Sequence, residues 1–281
     1  MTETIADARA ASYEIAQTLA PTWERRRAEI EEVTAPLRAW LVRELAAQPG
    51  ETVLELAAGA GDTGFEVAAI VGERGRLLST DFSPAMLEVA RRRGAELGLE
   101  NVDFRVIDAE RIELEDDCVD GVVCRFGFML MSDPAAALAE TRRVLRPGGR
   151  LVLAVWGPPE RNPFFAVAGR ALVERGHLPA PVPGAPGVFS LGDEQRLRAL
   201  VEGAGFAAVR TEGIPVGFAV PSIEEYLATA ADTAGPIALV LRALPTGERD
   251  QLAGELERAF APFRADDGYR IPGLALAAVA S

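Results

Sequence analysis

Residues 53–64 read VLELAAGAGDTG, an apolar run that leads directly into a glycine-rich segment. Gly59, Gly61 and Gly64 have the spacing G-x-G-x-x-G, and Asp81 follows Gly61 by twenty positions. Such a pattern predicts a strand, a tight turn and a helix, with the glycines beneath a ligand and the acid near a ribose hydroxyl. By itself it leaves open whether the ligand is NAD or another molecule that contains adenosine.

The composition favours a folded protein with a small ligand. Of the 281 residues, 49% are hydrophobic and 25% are charged, close to ordinary globular usage. The formal net charge of -13 argues against nucleic acid or an anionic membrane as a partner, because both would be repelled. All 29 basic residues are arginine, which excludes Schiff-base catalysis by lysine.

The two cysteines indicate neither a disulfide framework nor a metal site. Cys118 and Cys124 belong to no C-x-x-C or Cys/His pattern, so we expect both to be reduced and no metal to be bound. The start of the chain, MTETIADARAAS, lacks the layout of a signal peptide, and no apolar run approaches the length of a bilayer span. We therefore expect a cytoplasmic protein.

Predicted strands and helices alternate over the glycine-rich part of the chain. The strand segments are ETVLELAA, RLLSTDFS, NVDFRVID, CVDGVVCRFGF and RLVLAVW, with FAAVRTEGIPVGFAV and YRIPGLALAAVA further on. Ser83 and Asp133 each precede a proline and are predicted N-caps of intervening helices. The pattern predicts an α/β fold with a doubly wound, Rossmann-like seven-stranded sheet, whose ligands lie at the carboxyl ends of the strands.

Acidic residues at the predicted strand ends favour a cationic ligand over a pyrophosphate. Glu55 lies four positions ahead of Gly59, where a carboxylate repels a pyrophosphate and attracts an amine. The third strand ends in Asp108-Ala109-Glu110, an acidic corner beside the first two carboxylates in the expected sheet. These features speak against a dehydrogenase that binds NAD.

Four segments, in order, resemble the successive motifs of class I S-adenosylmethionine-dependent methyltransferases. They are ETVLELAAGAGDTG, STDFSPAMLEVA, RVIDAERIELEDDCVDGVVCRFGFMLMSDP and LRPGGRLVLAVW. The resemblance covers residues 50–156 and is closest to the branch of the ubiquinone and menaquinone biosynthesis methyltransferases and many small-molecule methyltransferases of bacterial secondary metabolism. Each motif alone is weak, but four at the right spacing are strong.

The resemblance implies S-adenosyl-L-methionine as the cofactor and assigns residues to it. Glu55 would help to hold the methionine amine, Gly59 and Gly61 would let the backbone approach, and Asp81 would take both ribose hydroxyls. The other implied contacts are Phe82 against the adenine, Asp108 and Ala109 at the adenine edge, and the backbone near Cys124 and Arg125 at the methionine end.

One position departs from the family's pattern. Where the family usually has its first glycine, this chain has Ala57, which we include among the cofactor-binding residues. Alanine there demands an ordinary backbone angle, so we expect a tighter loop that keeps its two later glycines.

Three regions follow from the motifs and their surroundings. Residues 1–48 are predicted to form an N-terminal helical lid, and residues 49–156 the Rossmann-like core that binds S-adenosylmethionine. Residues 157–281 are predicted to form a substrate-side segment, with inserted helices before the last strand and the closing strands of the sheet. Within the lid, the spacings from Arg25 to Glu29 and from Arg27 to Glu31 predict i,i+4 ion pairs on an exposed helix face.

Four residues outside the cofactor motifs are weaker candidates for substrate binding. They are Tyr13, Trp23, Phe128 and His177. Tyr13 and Trp23 either pack the lid onto the sheet or cover the cofactor, and Phe128 has equal prospects in the core and in a pocket. His177, the only histidine, lies in a predicted loop and is the only imidazole available as a general base. No catalytic residue is assigned, because a thiolate, amine or acidic phenol needs no base.

The sequence therefore predicts methyl transfer from S-adenosylmethionine to a small, largely apolar acceptor by in-line displacement. One alternative is a protein of this fold that binds the cofactor without methyl transfer, as a cyclase, hydroxylase or binding module. An NAD-dependent dehydrogenase is a second alternative with less support. The sequence does not indicate which atom is methylated, which acceptor is used or the oligomeric state.

Overall fold

A sheet of eight strands forms the middle layer of residues 2–281, which are the residues that the computed structural model describes, with side chains from residue 9 onward. Met1 of the predicted lid lies outside the described residues. The strands are β1 (Thr52–Leu56), β2 (Arg76–Asp81), β3 (Val102–Val106), β4 (Val119–Arg125), β5 (Leu145–Trp156), β6 (Val209–Val220), β7 (Arg264–Ala265) and β8 (Gly268–Ala280).

The strand order is β3-β2-β1-β4-β5-β8-β6, and β7 pairs with β8 beside this path. The five strands from β3 to β5 are parallel, whereas β8 is antiparallel to both β5 and β6. The order reverses at β1, so β1 and β4 form the switch point where ligands of such sheets bind. The doubly wound α/β fold and its seven predicted strands are confirmed, with the two-residue β7 as an addition.

Helices flank both faces of the sheet and form the insertion. They are α1 (Thr2–Arg25), α2 (Arg27–Leu45), α3 (Asp62–Val71), α4 (Pro84–Glu96), α5 (Pro134–Val144), α6 (Pro163–Glu174), α7 (Glu194–Gly203), α8 (Ile223–Thr233), α9 (Pro236–Ala243) and α10 (Thr246–Phe260). The two predicted N-caps are confirmed, since Ser83 Oγ accepts from Met86 N and Asp133 Oδ1 accepts from Ala136 N.

The two N-terminal helices are anchored differently. α2 carries Leu37, Trp40, Leu41 and Leu45 on one face, and all four are buried in the main core between helix and sheet. Their spacing of three to four residues places them on one side of a helix. α1 has a smaller apolar anchor, in which Trp23 and its neighbours pack on α4. α2 is therefore part of the folded core, although it lies within the predicted lid.

The inserted helices have a core of their own. α6, α8, α9 and α10 enclose a second buried cluster together with the first half of β8, around Tyr226 and Phe260. The Tyr226 hydroxyl donates a hydrogen bond of 2.5 Å to the carbonyl of Phe164, so its polar end is satisfied inside this cluster. The insertion thus packs as a unit beside the antiparallel end of the sheet.

The predicted i,i+4 ion pairs in the lid are wrong. Arg25 instead pairs with Asp232 on α8 at 2.8 Å, and Arg27 pairs with Asp62 on α3 at 2.9 Å. The helix breaks at Arg26, so the charges on either side of the break face other elements of the fold. No helix among residues 2–281 has the length and the apolar character needed to cross a membrane.

Candidate functional site

The glycine-rich loop joins β1 to α3 in a left-handed backbone path. Gly59 and Gly61 have φ angles of +56° and +84°, which glycine adopts without strain. A Cβ built on Gly59 would meet no atom within 4 Å, so open space lies beside this part of the loop. A Cβ on Gly61 would instead overlap the ring of Phe65. Gly59 is therefore the glycine that leaves room for a ligand. Gly61 must be a glycine for a different reason, because a side chain there would clash with Phe65.

The expected backbone angle of Ala57 is wrong. Its φ is +51°, in the left-handed region that the family's glycine adopts easily and alanine adopts at a cost of about 1–2 kcal/mol. The loop therefore keeps the glycine conformation, because its path is imposed by the strand before it and the helix after it. Phe126, which follows β4, has a φ of +61° and places a second non-glycine residue in this region near the switch point.

Asp81 ends β2 and connects the glycine loop to the start of α4. One carboxylate oxygen accepts from the Gly59 amide at 3.0 Å and the other accepts from the Ser83 amide at 2.9 Å. Burial raises the pKa of Asp81 to about 6, although these backbone donors oppose the change. Each oxygen keeps a second lone pair, so Asp81 can accept further hydrogen bonds at the loop's edge.

Glu55 lies beneath the loop rather than beside the open space. It is 3% exposed, and its two oxygens accept from the Gly64 amide at 2.7 Å and from the Ser79 hydroxyl at 2.9 Å. A side chain at Gly64 would overlap this carboxyl, which explains the third glycine of the pattern. Burial raises the pKa of Glu55 to about 8, against the opposing effects of Ser79, Gly64 and Arg125.

A cavity of about 480 Å³ opens between α1 and the ends of β2 and β3. Its walls include Phe82, Val106 and Asp108 on the sheet side and Arg9 and Tyr13 on the α1 side. The ring of Tyr13 meets the ring of Phe82 edge to face, with centroids 5.7 Å apart. This cavity brings together three of the predicted residues, Tyr13, Phe82 and Asp108. Ala109, which follows Asp108 in sequence, is buried.

Arg9 and Gln17 are residues of this region that the sequence did not single out. Arg9 forms an ion pair with Asp108 and a longer one, of 3.3 Å, with Glu110. Gln17 Oε1 accepts from the Ser83 hydroxyl at 2.6 Å and from the Ala85 amide at 2.9 Å. Both residues lie on α1, where polar side chains at helical spacing give no signal that distinguishes them from a solvated face.

Arg125 extends from the end of β4 to α2. Its guanidinium donates to Thr34 Oγ1 at 2.6 Å and to Glu31 Oε1 at 2.6 Å, and its side chain is 13% exposed. This contact holds the second N-terminal helix over the switch point. The charged end of Arg125 is therefore committed to α2, whereas the resemblance had implied a role for its backbone.

The four weaker substrate candidates lie in four different places. Trp23 packs against α4 with Met86 and Val89, and Phe128 is fully buried in the main core, so neither side chain lines the cavity. His177 Nε2 lies 2.5 Å from Glu248 Oε2 on α10. Of the four candidates, Tyr13 is the one whose side chain lines the cavity.

Comparison with known proteins finds a family model and curated relatives that match the middle of the chain. The ubiE/COQ5 methyltransferase family matches residues 36–167. A demethylmenaquinone methyltransferase of Thermus thermophilus is 42% identical over 91 residues, which are 32% of this chain and 41% of that protein. The chain spans between 31% and 41% of the length of the first curated relatives that it matches.

Solved structures with the same fold cover more of the chain at lower identity. A SAM-dependent methyltransferase from Aquifex aeolicus has a TM-score of 0.54 and 23% identity, over 69% of this chain and 92% of that one. The [4+2]-cyclase SpnF has a TM-score of 0.55 and 16% identity, over 95% of this chain and 96% of that one. Both likenesses concern the fold, which does not decide the reaction.

Proposed function

Because residues 36–167 carry the core of a class I S-adenosylmethionine-dependent methyltransferase of the ubiquinone and menaquinone type, we propose that this chain transfers the cofactor's methyl group to a small, largely apolar acceptor. The observation that carries the proposal is the contact between Asp81 and the amide of Gly59. In sheets of this kind, an acid at the end of the second strand binds the ribose. The contact places this acid, Asp81, beside the loop glycine that borders open space.

The residues at the switch point fit S-adenosylmethionine. The space beside Gly59 admits a ligand against the backbone, and Asp81 has lone pairs left for the two ribose hydroxyls. Phe82 and Asp108 line a cavity of a size that accommodates an adenine ring. These residues would hold the nucleoside, with Ala109 at the adenine edge.

The bound cofactor supplies a methyl group activated by its sulfonium, and its leaving group is a neutral thioether. The protein then contributes alignment and exclusion of water. Holding two reactants near attack geometry lowers a barrier by about 7–11 kcal/mol. In this fold Tyr13 and Arg9 of α1 line this cavity, and Arg125 at the end of β4 is paired with Glu31 of α2.

An aromatic surface next to the switch point supports an apolar acceptor. Phe126, after β4, stacks on Trp156 at the end of β5, with ring centroids 4.3 Å apart. Phe165 and Phe218 extend this surface into α6 and β6, with centroids 5.0 Å and 5.9 Å from that of Trp156. Phe126, Phe165 and Phe218 are each partly exposed. A planar apolar acceptor would stack on these rings beside the carboxyl ends of β4 and β5.

We expect the acceptor to be nucleophilic enough to react without a general base from the protein. His177, the only imidazole, is paired with Glu248 in the inserted helices and does not line the nucleoside cavity. An acceptor that needs strong general-base help would therefore have to find it in another residue. Acidic phenols, hydroquinones, thiols and amines meet this condition without one.

The test is a mass-spectrometric screen of planar phenols, hydroquinones, thiols and amines for the gain of one methylene, with S-adenosylhomocysteine measured in parallel. We expect methylated product from at least one apolar acceptor, and less of it with the Asp81→Asn variant at the same subsaturating cofactor concentration. If the cofactor binds but no acceptor yields S-adenosylhomocysteine, methyl transfer is wrong and a cyclase, hydroxylase or binding module replaces it. Binding of NAD in place of S-adenosylmethionine would contradict both.

A further inference from the structure

The first turn of α4 is completed by a side chain from another helix. Pro84, at its first position, has no N–H, and the Met86 amide is capped by the Ser83 hydroxyl at 3.2 Å. The Ala85 amide between them donates to Gln17 Oε1 on α1, at 2.9 Å and 68 residues away along the chain. The amide groups at the start of α4 are thus satisfied only with the help of α1.

These hydrogen bonds fix the orientation of the Gln17 amide and of the Ser83 hydroxyl. Because the Ala85 amide can only donate, the Gln17 atom that faces it must be the oxygen. The Ser83 hydroxyl lies 2.6 Å from the same oxygen and accepts from Met86, so its own proton must point to Gln17. Ser83 is fully buried, and its hydroxyl is therefore held between α1 and α4.

The same serine holds the acid at the end of β2 through its backbone. The Ser83 amide donates to Asp81 Oδ1 at 2.9 Å, and the Gly59 amide donates to Asp81 Oδ2 at 3.0 Å. Asp81 is 5% exposed, so these donors rather than water set the direction of its carboxyl. Gln17, Ser83 and Asp81 therefore form a continuous series of contacts from α1 to the edge of the glycine loop.

Docking of α1 on α4 has an apolar basis of its own. Ala20 of α1 and Met86 of α4 are buried in one small cluster, and Trp23 packs against it. These contacts hold the two helices together without any hydrogen bond. The two hydrogen bonds of Gln17 are additional to the docking, and the residues that they reach are those that position Asp81.

We propose that Gln17 is a positioning residue that, through Ser83, fixes Asp81 for the two ribose hydroxyls of the cofactor, an assignment that rests on the proposed function. With α1 in place the series is complete, and the lone pairs of Asp81 that Gly59 and Ser83 leave free have a fixed direction. When α1 moves away, the Ser83 hydroxyl loses one of its two partners and the Ala85 amide loses its acceptor. Ribose binding and closure of α1 are therefore coupled, and each favours the other.

Two ligands separate this role from simple docking in calorimetric titrations of the full chain. S-adenosylhomocysteine carries both ribose hydroxyls, and its 2′,3′-dideoxy analogue carries neither. The wild type should bind S-adenosylhomocysteine at least about tenfold more tightly, because Asp81 accepts charge-assisted hydrogen bonds from the hydroxyls. Gln17→Leu should weaken S-adenosylhomocysteine by about fivefold, the effect of one neutral hydrogen bond, and leave the analogue within about twofold.

A conservative variant and a control on α1 accompany this comparison. Gln17→Glu keeps an acceptor oxygen for Ala85 and Ser83, and its charge lies at the N-terminus of α4, where the helix dipole favours it. It should therefore regain the preference for the ligand with hydroxyls. Thr18→Ala, at the exposed neighbouring position, should bind both ligands like the wild type. Thermal unfolding verifies that each variant is folded.

The outcomes distinguish this inference from the proposed function. Equal weakening of both ligands by Gln17→Leu would make Gln17 a docking residue and overturn the inference, as would unchanged binding of S-adenosylhomocysteine or a Gln17→Glu variant that behaves like Gln17→Leu. If the wild type binds neither ligand, the proposed function itself fails. If the wild type binds both equally, Asp81 does not receive the ribose, and the inference fails with that assignment.

Discussion

Glu55→Gln should remove a pH dependence of stability that the wild type shows between pH 6 and pH 8. Burial raises the pKa of Glu55 from 4.5 to about 8 in the folded chain. A carboxyl whose pKa is raised by folding holds its proton more tightly in the folded state. It therefore stabilises the fold fully below its unfolded pKa, and this contribution is lost as the pH rises through the folded value. Glutamine has no proton to lose and keeps the same shape.

The magnitude follows from the size of the shift. Each pKa unit corresponds to about 1.4 kcal/mol, so the free energy of unfolding should fall by about 2–3 kcal/mol from pH 6 to pH 8 because of this one group. The pKa of Asp81 is also raised by folding, so Asp81 changes the stability in the same direction. Because its pKa is about 6, most of its contribution is lost below pH 6. Gln at position 55 can still accept from Gly64 N, and the Ser79 hydroxyl can turn to accept from the amide nitrogen.

The assay is urea unfolding followed by circular dichroism at pH 6, 7 and 8, for the wild type, Glu55→Gln and Glu66→Gln. Glu66 is a control on α3 whose side chain is 46% exposed. The wild type and Glu66→Gln should lose stability with rising pH, and Glu55→Gln should lose much less. Parallel curves for all three proteins would mean that Glu55 is ionised throughout, which would refute the argument from burial.

Three further variants test the loop and its acid. Asp81→Asn should weaken cofactor binding by about 1–3 kcal/mol in calorimetry, since it removes a charge from the ribose hydrogen bonds while keeping an oxygen for the backbone; unchanged affinity would remove Asp81 from the site. Gly59→Ala should weaken binding of S-adenosylhomocysteine by at least about tenfold, because its methyl group enters the open space, and should lower Tm by only about 2–4 °C for the left-handed strain. Ala57→Gly should raise the free energy of unfolding by up to about 1 kcal/mol in urea titrations, because glycine adopts a φ of +51° more easily; a loss of stability would contradict the strain.

Local sequence signals predicted the elements that form the sheet. Alternating apolar strands and capped helices are determined by neighbours within a few residues, so Ser83 and Asp133 could be identified as caps before any contact was known. The strand order placed Asp81 beside the glycine loop because parallel strands end at one edge. Both predictions required only the order of motifs along the chain.

Contacts between distant segments could not be predicted in the same way. The positive φ of Ala57 is imposed by the elements on either side, whereas the residue type suggested an ordinary angle. The charges of the lid were expected to pair along their own helix, but Arg27 reaches Asp62 at a separation of 35 residues. Phe128 illustrates the same limit, because an apolar residue after a strand gives no sign of whether it faces a pocket or, as here, the core. Each of these outcomes depends on three-dimensional neighbours.

The N-terminal helices serve the site in two different ways, and their packing explains why. α2 is held by its own apolar face, so the charges that it brings to Asp62 and Arg125 are fixed in place by the fold. α1 has a smaller apolar anchor, and its polar contacts from Gln17 and Arg9 end at Ser83 and Asp108, on either side of the nucleoside cavity. Because fewer buried apolar side chains hold α1 than hold α2, α1 is the helix that would open if the proposed function requires a nucleoside to enter and leave. Under the proposed function, α2 would therefore belong to the fixed part of the site and α1 to the part that opens.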